Sequence, residues 1–235
     1  MVKAIYQAAR NLEFKTKNVE IVANNLANMS TMGFKRELPF AELMTRNKGA
    51  AYKQLTDFSE GNTIATGNQL DVALSGTGFF VTKDNDGLQL SRDGRFSISV
   101  DGFLETSHHK RVQGQKGDIN LYESLVDKEK NVTITKEGEI RMGEKYIDKL
   151  QIGAITTQEH LLRGDAQDFK FEDGNFMPAK ENEYKLTQGY IEESNVNPII
   201  EMESMITLNK DYEAAQKIVG FFDASLGKAS EVGRV

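Results

Sequence analysis

The chain has 235 residues, enough to bury a sizeable core in one large or two modest domains. Its net charge is -6 and no basic run exceeds the pairs Lys35-Arg36 and Lys110-Arg111, which excludes a surface built to neutralise nucleic-acid phosphates. The lack of cysteine excludes disulfides, thiolate catalysis and cysteine-based zinc sites.

The first ten residues hold Lys3 and Arg10 but no continuous apolar stretch, so no Sec-type signal peptide is expected. If the chain is exported, the expected route cleaves nothing. No window approaches the ~20 apolar residues that span a bilayer, so membrane insertion is not expected. Residues 3 to 28 carry helical periodicity: Ile5, Leu12, Val19 and Leu26 recur every seven residues, with Ala8, Val22 and Met29 on a companion row. Lys15 interrupts that companion row, a polar insertion of the kind that sets register or partner choice. The helix is expected to stop in Asn24-Asn25-Leu26-Ala27-Asn28, because asparagine tolerates left-handed and turn conformations. Ser30 to Gly33 then forms a turn, in which Gly33 can take positive φ.

Residues 35–70 read as an extended connector with weak signals. Its cluster Leu38, Phe40, Leu43 and Met44 fits either one helical turn or an anchoring strand. From 71 to 189 the pattern changes to short strands, with candidates at 71–74, 79–81, 88–90, 96–100, 103–104, 119–121, 132–135, 139–142, 150–155 and 169–171. Asp86-Gly87, Asp93-Gly94 and Asp101-Gly102 stand between several of them, and Asp-Gly between alternating hydrophobics is a strong hairpin signal. Regular spacing of such strands predicts an antiparallel barrel or sandwich. A second long helix starts with Asn197 as N-cap and Pro198 in the first helical position, with Glu201 and Glu203 early enough to suit the helix dipole. Its heptad rows are Met205, Tyr212, Val219 and Leu226, and Leu208, Ala215, Phe222 and Ala229. Ile199, Met202, Ile206, Ile218 and Phe221 widen that face beyond what one partner helix covers, which points to contacts with neighbouring chains.

Little in the chain suggests chemistry. His108 and His109 are neighbours that a strand would send to opposite faces, and His160 is distant, so an exposed polar turn is the expected setting. Asp84-Asn85-Asp86-Gly87 begins like a calcium loop, but Leu88 and Arg95 occupy ligand places. Gly76-Thr77-Gly78 lacks the third glycine of a phosphate-binding turn. No nucleophile elbow, zinc-protease pair or P-loop occurs, so no catalytic residue, metal or cofactor is expected.

Three blocks carry a resemblance. The first is Asn24-Asn25-Leu26-Ala27-Asn28 followed by Gly33-Phe34-Lys35. The second is Asp71-Val72-Ala73-Leu74-Ser75-Gly76-Thr77-Gly78-Phe79-Phe80 with Ser91-Arg92-Asp93-Gly94-Arg95-Phe96 and Gly102-Phe103-Leu104. The third is Gln188-Gly189-Tyr190-Ile191-Glu192, Ser194-Asn195-Val196-Asn197-Pro198, Glu201-Met202, Met205-Ile206 and Tyr212-Glu213. In this order they resemble the rod and hook family of bacterial flagellar axial proteins. Asp211 stands where the family often has arginine, and Ser107-His108-His109-Lys110 replaces a usual polar-glycine tract. The short stretch after the first helix is most similar to the proximal-rod type, while Gln188-Gly189-Tyr190-Ile191-Glu192 leans to the distal-rod type.

The resemblance implies an α+β subunit. Its terminal helices (1–34 and 190–235) pack as a coiled coil that forms an inner tube, and the connector 35–70 leads to a central antiparallel barrel- or sandwich-like domain at 71–189. It implies a structural protein, not an enzyme, that transmits torque in the flagellar basal body after uncleaved type III export. The implied partners are copies of itself, other rod and hook proteins and the export apparatus. The expected assembly and packing residues are Ile5, Leu12, Val19, Val22, Asn24, Asn25, Leu26, Asn28, Gly33, Phe34, Ser194, Asn195, Val196, Asn197, Pro198, Met202, Met205, Ile206, Tyr212, Val219, Phe222 and Leu226. Alternative readings are an intramolecular helical hairpin that merely finishes a monomer's core, a monomeric adaptor for partner helices, and a β-sandwich hydrolase or carbohydrate-binding module with helical appendages.

Overall fold

The computed structural model describes residues 2–39, 43–45, 49–51, 54–85, 87–123, 131–155, 161–164, 167–171, 176–180 and 182–232. Phe40, Asp86 and His160, and the side chains of Ile5, Leu43, Met44 and Leu226, lie outside the described residues. The architecture is α+β: a helix at each end and antiparallel β-structure between. Helix α1 spans Val2–Ala27 and helix α2 spans Pro198–Val232. Asn197 caps α2, its Oδ1 accepting from the amides of Ile199 at 3.0 Å and Ile200 at 3.4 Å. No helix among the described residues is long and apolar enough to cross a membrane.

The chain forms two compact units. One comprises 1–29, 37–55 and 196–235; the other comprises 30–36 and 56–195. The first holds both helices and the short strands of the 37–55 stretch, among them Leu43–Thr45 paired with Gly49–Ala51. The second is β-rich. Its largest sheet follows the strand path Leu161–Arg163, Phe169–Phe171, Gly87–Ser91, Gly78–Asp84, Arg111–Gly114, Leu104–Thr106 and Phe96–Ile98, with further strands branching from it. Among the described residues no sheet closes on itself, so the barrel expected from the strand spacing does not form there.

The central strand Gly78–Asp84 is buried on both faces, so its alternation divides two cores instead of separating core from solvent. Phe80 joins Val72, Leu104, Val112 and Leu186 on one side. Val132, Ile134, Ile140 and Met142, from the separate three-stranded sheet, complete that core. Phe79 and Val81 pack with Leu90 and Phe169 on the other side. There Phe58, Phe79 and Phe169 form an edge-to-face trio with centroids 5.3 to 5.8 Å apart. Each of these side chains contributes roughly 1.5–3 kcal/mol by leaving water.

Two turn expectations have different outcomes. Asp101-Gly102 does turn a hairpin, with Gly102 at φ +83° and Leu104 registered on Ile98. Asp93-Gly94 does not. It makes a buried corner where the Gly94 carbonyl accepts from the Val72 amide at 2.9 Å and the Asp93 side chain is fully withdrawn from water. An Asp-Gly pair marks a tight backbone, and only the neighbouring elements decide whether it lies at a tip or inside. Strands at Arg111–Gly114, Lys145–Lys149 and Tyr184–Gln188 lie outside the expected set because each is short and offers at most two apolar residues, too few for a pattern to stand out.

Candidate assembly site

The helical unit is an antiparallel pair with a fixed register. Lys15 Nζ lies 2.7 Å from Asp211 Oδ2, and Asn25 Nδ2 donates to Glu201 Oε2 at 3.3 Å. Both pairs of residue numbers add to 226, so the helices keep one alignment over the ten residues between these contacts. The polar insertion at Lys15 and the departure at Asp211 therefore answer one another. Leu12, Val19 and Leu26 are half-buried and Val22 is buried. On α2 Met205, Leu208, Tyr212, Ala215, Val219 and Phe222 are all half-buried, so the two heptad rows are the face withdrawn from water.

The apolar residues beside those rows stay in solvent. Ile199 is 77% exposed and Phe221 81%, and Met202, Ile206 and Ile218 are each more than half exposed. Met202 and Ile206 lie on the outward side of the helix, not in the seam. They form two exposed apolar clusters, Ile199, Met202 and Ile206 near the start of the helix and Ile218 and Phe221 about three turns further on, of the kind that mark interaction surfaces.

Helix α1 stops at Ala27, inside the expected stretch, with Asn28 in the following turn, but not through a left-handed asparagine. Among the described residues His109 alone has positive φ outside glycine, so none of the asparagines adopts the left-handed conformation. Asn25 is instead fully buried as a bridge. Its Nδ2 donates to the Glu37 carbonyl at 2.9 Å as well as to Glu201, and its Oδ1 accepts from the Glu37 amide at 2.9 Å. Asn24 is exposed and donates to Glu37 Oε1 at 2.9 Å; Asn28 donates back to Asn24. Val196 is buried ahead of the cap. Pro198 begins α2 where it is harmless to the hydrogen-bond ladder. His108 and His109 occupy the exposed turn expected of them.

In the β-rich unit the three motif blocks converge on a buried ionic node. Lys35 and Glu192 are 0% and 3% exposed, and Arg92 is 1%. Glu192 Oε1 accepts from Lys35 Nζ at 2.6 Å and from the Gly61 amide at 2.8 Å, while Oε2 accepts from Arg92 at 3.1 Å. Arg92 also donates to the Leu74 carbonyl at 2.9 Å and to that of Gly76, and its guanidinium sits 4.7 Å from the Phe79 ring centroid. Lys35 Nζ donates in addition to the Ser59 carbonyl at 2.6 Å. Phe34 is buried beneath the Arg163 guanidinium at 4.3 Å. Gly33, at φ +70°, approaches the Arg92-Asp93 backbone so closely that a Cβ would lie 2.5 Å from the Arg92 carbonyl carbon.

Asn195 collects three segments around this node. Its Oδ1 accepts from the Arg36 amide at 2.7 Å, and its Nδ2 donates to the carbonyls of Asp57 at 2.9 Å and Ser59 at 3.1 Å. Ser194 is half-buried beside it in sequence. The Ser91-to-Phe96 block is accounted for residue by residue: Arg92 enters the node, Gly94 makes the corner, and Phe96 stacks edge-on against Phe80. Asp93 accepts from Arg95, Ser107 and Gln167.

Two cations share one carboxylate here, and the electrostatics follow. Burial pushes the Lys35 ammonium below its ordinary 10.5 even though Glu192 opposes the shift, and burial lowers Arg92 in the same way. With a folded-state value below the unfolded one, the unfolded chain binds more protons between the two. This group's contribution to stability therefore rises as pH climbs through that window toward 10.5. Urea unfolding of wild type and Lys35→Met at neutral and alkaline pH should show the rise in wild type only.

Lys35, Arg92, Glu192, Glu37 and Glu201 were missed as individual site residues. Their signal was their position inside or beside the motif blocks, not any pattern of their own.

Three family models match the chain: "Flagella basal body rod protein" over 7–35, "Flagellar hook protein FlgE/F/G D1 domain" over 73–142 and "Flagellar basal body rod FlgEFG protein C-terminal" over 187–231. The flagellar basal-body rod protein FlgF of Caulobacter vibrioides is 28% identical, with 93% of each chain covered. The basal-body rod protein FlgG of Borreliella burgdorferi is 28% identical over the whole of both chains, and FlgG of Agrobacterium fabrum is 27% identical over 93% of this chain and 94% of its own.

Proposed function

Because the chain belongs to the flagellar basal-body rod family, FlgF/FlgG-like along its length, we propose that it polymerises through its terminal helices into a helical tube that transmits torque. It is a structural subunit, not an enzyme, of the flagellar basal body. The observation that carries the polymerisation reading is the second apolar face of α2, left in water after the heptad rows are covered. A heterologous contact on that face repeats without closing, and a helical tube results. In this reading the helix pair winds as a coiled coil in the inner tube, and the layered β-rich unit is the outer domain. The partners are further copies and other rod and hook proteins, delivered by type III export without cleavage of a signal peptide.

Length favours the proximal-rod type. The alignment to Caulobacter FlgF runs over 236 positions, close to the chain's 235 residues, whereas that to Agrobacterium FlgG runs over 265. The test is Ile206→Asp or Phe221→Asp in a motile host whose own copy has been deleted. Both positions are exposed, so the purified variants should unfold within about 0.5 kcal/mol of wild type. Rod assembly and swimming should be lost. Normal assembly in both variants would sink the proposal.

A further inference from the structure

The chain passes between its two units four times, at 29/30, 36/37, 55/56 and 195/196. Three of these passages lie within four residues of Asn195 or of a group its side chain holds. Arg36 precedes the second, Asp57 and Ser59 follow the third, and Asn195 itself precedes the fourth. The backbone closes the same ring: the Asp57 amide donates to the Arg36 carbonyl at 2.8 Å and the Asn195 amide to the Phe34 carbonyl at 3.4 Å. One amide side chain is suited to this because it presents an acceptor and two donors in one plane, here meeting one amide and two carbonyls.

We propose that Asn195 is a positioning residue: its side chain clamps the segments on which the chain crosses between units, so that these crossings hold and loosen together. An amide with both ends engaged links segments that are 136 to 159 residues apart in sequence. The Arg36 and Asp57 segments also adjoin the paired strands Glu37–Pro39 and Gln54–Thr56, and the Asn195 side chain ties the 195 segment to both. Asn195, Arg36, Asp57 and Ser59 all belong to the β-rich unit, so the clamp is internal to it. The clamp itself stands on the monomer's geometry alone.

Native-state hydrogen exchange on the purified full chain tests it without any rod. In Asn195→Ala the Arg36 and Asp57 amides should exchange about tenfold faster, the yield of one lost hydrogen bond. The amides pairing Gly78–Asp84 with Gly87–Ser91 should stay within about twofold of wild type. Asn195→Asp separates the two ends of the clamp. It keeps an acceptor for the Arg36 amide but turns an oxygen toward the Asp57 and Ser59 carbonyls, so Asp57 should speed up while Arg36 stays protected. Unchanged exchange at Arg36 and Asp57 in Asn195→Ala overturns the proposal. Equal acceleration across the whole sheet also overturns it, because that is the mark of a general stabiliser.

Discussion

Glu192→Gln should destabilise the β-rich unit by about 3–5 kcal/mol, a fall in Tm on the order of 6–20 °C. The substitution changes neither shape nor volume. It removes the buried carboxylate that touches both Lys35 and Arg92, leaving them only the weaker pull of exposed Glu60, and both cations remain withdrawn from water. The attraction inside such a node scarcely exceeds the cost of desolvation, so its net worth is small, but breaking it exposes the full cost of the buried charges. The asymmetry makes the prediction sharp. Lys35→Met leaves Glu192 with Arg92, a neutral pair, and should change stability by no more than about 1.5 kcal/mol in either direction. Chemical denaturation of the two variants measures the difference, and equal losses would mean that the node is not ionic in character.

Gly33→Ala should cost about 3–5 kcal/mol, and Gly67→Ala about 1–2. The two glycines have nearly the same backbone conformation, φ +70° and +72°, so the left-handed strain of an L-residue is common to both. Their surroundings differ. A Cβ on Gly67 meets nothing within 4 Å, whereas one on Gly33 lies 2.5 to 2.7 Å from three backbone atoms of Arg92 and Asp93. The excess loss at Gly33 measures the close approach alone. That approach brings Lys35, two residues on, into reach of Glu192, so the Gly33 variant should also lose the alkaline stability rise that Lys35 provides. Equal melting temperatures for the two alanine variants would show that the segment yields without cost.

The helices were legible because their signals are local and repeated. Heptads at Leu12, Val19 and Val22, and at Met205, Tyr212 and Val219, state which side loses water, and Asn197-Pro198 states where α2 begins. The outward residues Ile199 and Phe221 were legible by the same count. The ionic node was not, since Lys35 and Glu192 are 157 positions apart and each alone is an ordinary charged residue. Asn25 and Asp93-Gly94 misled for a related reason. Asparagine and Asp-Gly report what the backbone tolerates, and here both are fixed by groups from distant segments, Glu201 for one and Val72 for the other. Local propensity finds the elements; the closures between remote segments depend on pairings that no window contains.

The constant sum of 226 along the helix pair has a consequence for how chains of this family change length. An insertion in either helix displaces every later partner, parting Lys15 from Asp211 and turning the heptad rows away from each other, unless the other helix gains the same number of residues. Growth by single events is therefore confined to the chain between the helices. The roughly thirty additional alignment positions that separate the Agrobacterium FlgG match from the Caulobacter FlgF match should all fall between Ala27 and Pro198. The helix pair works as a gauge that keeps one dimension of the subunit fixed while the rest of it is free to evolve.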